Sequence, residues 1–166
     1  AAENTTHRVF VGSMMDIFEK PMPVIDHNGN AKPYNTGEIR EMFFREIVPN
    51  CPNLVFLLLT KRPSNINKYI PMTWLDNQPK NVWYGASVVN HSTAIDVSRN
   101  LSKVSGKKFL SVEPQLDFID FSEDRLTWGI QWIIQGGESG PNKRPFNTDW
   151  ARHTRDVCKQ QGTAYF

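Results

Sequence analysis

Cysteine is scarce in this chain: two of 166 residues, Cys51 and Cys158, far apart and without a Cys or His partner at metal-finger spacing. That excludes a four-cysteine zinc site and a cysteine-ligated iron–sulfur cluster built from this chain alone. No apolar run approaches the ~18 residues of a membrane span, and Ala1 to His7 lacks the apolar stretch of a signal peptide. Two cysteines in such a sequence read as reduced thiols of a cytoplasmic protein. An excess of one charge is also missing. The 19 Lys+Arg against 17 Asp+Glu leave a net charge of +2, which is no nucleic-acid footprint by itself. His7, His27, His91 and His153 show no H-x-x-x-H or H-E-x-x-H spacing, so no protein-built metal site is assigned. A P-loop and a G-x-S-x-G elbow are absent as well.

An apolar fraction of 39% and 11% aromatics supply a core, and the length fits a single α/β domain over residues 1–166. The chain opens at Ala1 rather than Met and stops at Phe166 inside an apolar run, which predicts a longer natural protein. Short runs rich in β-branched and aromatic residues recur at Arg8–Met14, Leu54–Thr60, Val82–Val88, Lys108–Val112, Gln131–Gln135 and Thr163–Phe166. Nearly continuous apolar runs of that length read as strands buried on both faces of a parallel sheet. Between them lie helical patterns. Asn35–Val48 opens with a capping-box pair, Asn35 and Glu38, and places Ile39, Met42, Phe43 and Ile47 on one face. Thr93–Val104 carries Ala94, Val97, Leu101 and Val104 before Gly106. Thr148–Gln161 follows an N-cap expected at Thr148 and stops at Gly162. Ser64–Ile70 reads as a short helix, and Asp117–Trp128 as a mixed loop.

Alternating strands and helices predict a partial (β/α) barrel of about six parallel strands, with an open doubly wound sheet as the alternative. In either fold, ligands bind beyond the carboxyl ends of the strands. Those ends fall at Ser13 to Asp16, Thr60-Lys61-Arg62, Ser87 to Asn90, Glu113-Pro114 and Gly136-Gly137-Glu138.

Glu113 and Glu138, each directly after a strand, have the residue types of a general acid and base pair, as in a metal-independent hydrolase. They equally suit ion pairs with Lys61, Arg62 or Arg144. The glycine run 136–140 with Lys143 and Arg144 behind it suits an anionic ligand or a tight turn. Lys61-Arg62 suits a phosphate or carboxylate, or a solvated charge pair. The five tryptophans, Trp74, Trp83, Trp128, Trp132 and Trp150, suit packing better than base stacking. A third class of function, a non-catalytic protein binding a ligand or partner at this rim, fits the same residues.

Five blocks in order resemble one family: V-F-V-G-S-M-M-D (9–16), F-L-L-L-T-K-R-P (56–63), V-W-Y-G-A-S-V-V-N (82–90), F-L-S-V-E-P-Q-L-D (109–117) and I-I-Q-G-G-E-S-G-P-N-K-R-P (133–145). The chain is similar to the phage and prophage gene-product-37/68 family, a radical S-adenosylmethionine (SAM)-like group with a likeness to the spore photoproduct lyase branch. The resemblance implies a partial barrel with SAM and a [4Fe–4S] cluster in its mouth. By carry-over, Ser13, Asp16, Thr60, Lys61, Ser87, Glu113, Gly136, Gly137 and Glu138 line the SAM and substrate cavity, and Arg62, Lys143 and Arg144 are anion-binding candidates. A nucleic acid or nucleotide is the implied substrate class. The family's cysteine-rich segment, ending C-x-x-C-Y, is not in this sequence, so the chain as given is not competent for cluster chemistry. A barrel without that segment exposes a sheet edge, through which it is expected to form a homodimer.

Overall fold

The computed structural model describes residues 5–12 and 15–166. Six strands form one parallel sheet in the order β1-β4-β5-β6-β7-β8, curled into a half-barrel. They are β1 (His7–Val11), β4 (Leu54–Thr60), β5 (Val82–Ser87), β6 (Lys107–Val112), β7 (Trp132–Gln135) and β8 (Ala164–Tyr165). Each of the six apolar runs of the sequence therefore supplies a strand, and the partial barrel is the fold observed. Two further strands, β2 (Pro23–Ile25) and β3 (Ala31–Asn35), pair antiparallel as a separate hairpin between β1 and β4. That hairpin is absent from the periodicity reading because its strands are short and half polar. Its signal is the Asn28-Gly29 turn, where Gly29 adopts φ +84°.

Curling is visible in the side chains. Arg8 on β1 lies over the Trp132 ring on β7, 5.6 Å from its centroid, and Phe10 meets Phe109 on β6 edge to face at 5.9 Å. Three strands separate β1 from β7 in the sheet, so these contacts cross the barrel interior. Strand alternation sorts the core into two parts. Leu57, Phe109 and Ile134, flanked by Leu59, Trp83 and Trp132, fill the inside. Gly85 is required there, because a Cβ at that position would overlap the Phe109 ring. Leu58, Tyr84, Leu110 and Ile133 point outward into the larger core under the helices. The tryptophans of β5 and β7 are thus packing residues, as expected, whereas Trp128 stands 79% exposed.

The helices are α1 (Thr36–Met42), continued by a π-helical turn over Phe43–Ile47 and a short α2 (Val48–Asn50), then α3 (Ile66–Tyr69), α4 (Thr73–Asp76), α5 (His91–Leu101), α6 (Asp124–Thr127) and α7 (Thr148–Gln161). The Asn35/Glu38 capping box is present at α1. The expected face of that segment is corrected: Arg40, Phe44 and Val48 are buried, Ile39, Met42 and Ile47 are exposed, and of the expected four Phe43 alone packs on the core. Two apolar stripes share this helix, and the one carrying Phe44 reaches Trp74 at 4.9 Å.

Helix α5 starts two residues before the expected Thr93, because Asn90 caps it in a box with Thr93. Asn147, not Thr148, caps α7, and Gly162 ends it at φ +70°. Strand β1 departs from the expectation of a strand buried on both faces, since four of its five residues are exposed at the sheet edge. No helix among the described residues is long and apolar enough to cross a membrane.

Candidate functional site

At the carboxyl ends of β1 and β4, one carboxylate ties two strand exits together. Asp16 Oδ2 accepts the Thr60 hydroxyl at 2.9 Å and the Lys61 backbone N–H at 2.9 Å, while Oδ1 accepts the Phe18 N–H at 3.0 Å. Thr60, itself buried, accepts the Arg62 N–H at 2.9 Å. The Lys61 and Arg62 backbones are therefore fixed from below.

The loop carrying Asp16 is held in turn from α1. Arg40 is buried, and its Nη1 donates to Ile17 O at 3.0 Å and Glu19 O at 2.9 Å. Asn65 Nδ2 donates to Phe18 O at 3.0 Å. The Arg40 guanidinium stacks on Tyr69 at 4.1 Å, and burial draws its pKa below the usual arginine value. Arg40 and Asn65 position the site, and strand-end reasoning could not find either. Arg40 lies within a helix, and its partners are main-chain carbonyls that no residue type announces.

These exits enclose a cavity of about 410 Å³ lined by Gly12, Met15, Asp16, Leu59, Thr60, Lys61 and Ser87. Four of the sequence-predicted residues, Asp16, Thr60, Lys61 and Ser87, thus meet at one place. Ser13 lies outside the described residues. The volume falls within the usual range of small-ligand sites. Lys61 has no carboxylate at ion-pair distance among the described residues, while Arg62 Nε donates to Glu19 at 2.7 Å.

The other predicted residues occupy the β6–β7 part of the rim and do not line that cavity. Exposed Glu113 follows β6, and a Cβ on Gly136 would stand 2.8 Å from its Oε1, so Gly136 leaves room for the carboxylate. Gly136 also continues the strand pairing, donating to Val112 O at 3.1 Å and accepting from Gln115 N at 2.9 Å. Gly137 serves packing, with Phe146 filling the space of its missing side chain.

Glu138 is paired with Arg144. Arg144 Nε and backbone N–H each donate to Oε2 at 2.8 Å, and Nη2 reaches Oε1. The side-chain and backbone hydrogen bonds from Arg144 hold the Glu138 carboxyl down at about 2. Near neutral pH it has no proton to give, so the geometry supplies an ion pair here rather than a general acid. Arg144 is committed to this pair, and Lys143 is exposed on the same loop.

Beneath this rim, buried Gln115 donates to Asp117 O at 2.7 Å and accepts from Gln135, which in turn accepts the Tyr165 hydroxyl at 2.8 Å. This chain links the exits of β6, β7 and β8. Gln135 ends the β7 run and Gln115 lies three residues past the end of β6, a signal that the sequence contains and that charge-seeking passes over.

The two cysteines do not fit an iron–sulfur cluster. Cys51 is half-buried after α2, and Cys158 is buried in α7 with its thiol pushed up by desolvation to about 11. Among the described residues no group of three or more His, Cys, Asp or Glu side chains is placed to hold a metal ion. A separate cavity of about 540 Å³ adjoins Ile130 and Thr163, which precede β7 and β8, and includes Trp128 and Arg125. It lies at the amino ends of the strands, and none of the rim residues lines it.

The whole chain, residues 1–166, matches the family described as "Protein of unknown function (DUF5131)", and the chain belongs to that family. No curated protein and no solved structure matches it.

Proposed function

We propose that this member of the family is the ligand-binding core of a radical-SAM-like phage or prophage protein, and that the cavity at the ends of β1, β4 and β5 takes S-adenosylmethionine. The observation that supports the reading most is the convergence of Asp16, Thr60, Lys61 and Ser87 on one cavity of about 410 Å³ at the carboxyl ends of parallel strands. Leu59 and Met15 give it apolar wall, and Thr60, Lys61 and Ser87 give it polar groups. A [4Fe–4S] cluster has no fitting ligands among the described residues, so no reaction is routed through one. The proposed activity of this chain is binding. Its substrate belongs to the nucleotides or nucleic acids in this reading, and its place is the cytoplasm.

Titration calorimetry with S-adenosylmethionine is the test. Saturation at one ligand per chain, abolished by Ser87→Leu with an unchanged melting temperature, is the expected result. Absence of heat with the folded chain, or equal binding by Ser87→Leu, would refute it.

The reading also includes a homodimer. Among the described residues the β1 edge is unpaired on one side, and Val9 and Phe10 are 37% and 45% exposed. Sedimentation equilibrium should show a dimer that Val9→Lys converts to monomer. A monomer across the micromolar range would remove this part.

A further inference from the structure

Lys61 and Ser87 line two cavities, not one. Adjoining the first site, a second cavity of about 380 Å³ lies between the β4 exit and α5, lined by Lys61, Arg62, Ser64, Asn65, Asp96 and Asn100 among others. The two cavities differ in chemistry. The first has Gly12, Met15 and Leu59 in its wall, whereas the second is walled mainly by charged, hydroxyl and amide groups.

The cations of the second cavity are held by a fixed backbone, through the Asp16 bond to Lys61 N–H and the Thr60 bond to Arg62 N–H. Arg62 gives both Nε and Nη2 to the same oxygen of Glu19, at 2.7 and 2.5 Å, which leaves Nη1 uncommitted by that pair. Asp96 is the one carboxylate in the lining, and it faces Arg99 at 3.5 Å. Asn65 Nδ2 is engaged by Phe18 O and Asn100 Nδ2 by Asp96 O. The donors available to a ligand are therefore Lys61 Nζ, Arg62, the hydroxyls of Ser64 and Ser87, and the second N–H of each of these two amides.

We propose that this second cavity is a phosphate subsite, which receives the phosphate of a phosphate monoester whose organic group crosses Ser87 toward the first cavity. Two cations and two hydroxyls, three of them from the β4 exit and one from β5, favour a doubly charged phosphate with three terminal oxygens over a singly charged carboxylate with two. Glu19 is the internal competitor for Arg62. The inference extends the rim reading by giving the chemistry of a second ligand beside the first.

The test is calorimetry in phosphate-free buffer with phenyl phosphate, phenol and benzoate, each with and without saturating S-adenosylmethionine. Phenyl phosphate should bind at least roughly tenfold more tightly than phenol or benzoate, the scale of one charge-assisted hydrogen bond. Arg62→Gln should weaken it about tenfold by the same measure, and Glu19→Gln should tighten it by releasing Arg62. Those opposite signs separate ligand contact from simple loss of the Arg62–Glu19 pair, which both variants break. Ser64→Ala, which removes no contact described in the fold, should weaken binding without moving the melting temperature. Equal affinity for phenyl phosphate and phenol, or a change of the same sign in Arg62→Gln and Glu19→Gln, would overturn the subsite. Phosphate preference without S-adenosylmethionine binding would leave the subsite standing and remove the adenosyl reading. The reverse result would do the opposite.

Discussion

Arg40 shows how a residue outside the rim controls it. Its guanidinium replaces water for two carbonyls of the Asp16 loop, and hydrogen bonds from a charged donor are the stronger kind. Arg40→Ala should cost about 3 kcal/mol, from two such bonds less partial rehydration. In a domain of this size that is a fall of roughly 6–12 °C in melting temperature. Ligand affinity at the rim should fall with it, and an unchanged melting curve would show that the Asp16 loop is held by other contacts. Cys158 makes the opposite point, since its chemistry is suppressed. Burial raises its thiol to about 11, so at pH 8 iodoacetamide should leave it unmodified in the folded protein and label it once the chain is unfolded. Labelling of native Cys158 at the rate of a free thiol would contradict that burial.

Among the elements, the loop from Gly136 to Asn147 is latched by the Glu138–Arg144 pair. A carboxyl lowered from 4.5 to about 2 contributes its stabilisation fully above the unfolded value and loses it as pH falls from about 4.5 toward 2. The Arg144 amide resonance should therefore titrate with a midpoint near 2, and Glu138→Gln should abolish the transition. A midpoint above 4 would mean that the pair is not formed in solution.

Elements also explain what the sequence disclosed. Strands β4 and β5 were legible almost to the residue, because apolar strands covered on both faces leave no ambiguity of period. The segment 36–50 was legible as a helix, yet its buried side was not. Ile39 and Met42 form one apolar stripe and Phe44 and Val48 another, and the positions of Phe18 and Trp74, both packed on Phe44, favour the second. The hairpin β2–β3 was missed because a three-residue strand carrying proline has no readable period.

At the scale of the whole molecule, a curled parallel sheet turns separate strand exits into a shared rim. The sequence order alone placed Asp16, Thr60, Lys61 and Ser87 at strand ends, and three parallel strands bring them to one cavity. It could not show that Glu113, Gly136 and Glu138 belong to a different part of the rim, because the curl sets which exits face each other. Nor could it show that aromatic side chains close the barrel interior below the site, with Phe10 reaching Phe109 across it.

The central claim is that ligand binds at the carboxyl ends of β1, β4 and β5. Backbone amide chemical shifts recorded during titration with S-adenosylmethionine test it most directly. The account predicts perturbations concentrated at Gly12, Asp16, Lys61 and Ser87, with Gly129 and Thr163 at the opposite strand ends unmoved. Perturbations centred on Gly129 and Thr163, with the rim silent, would contradict it.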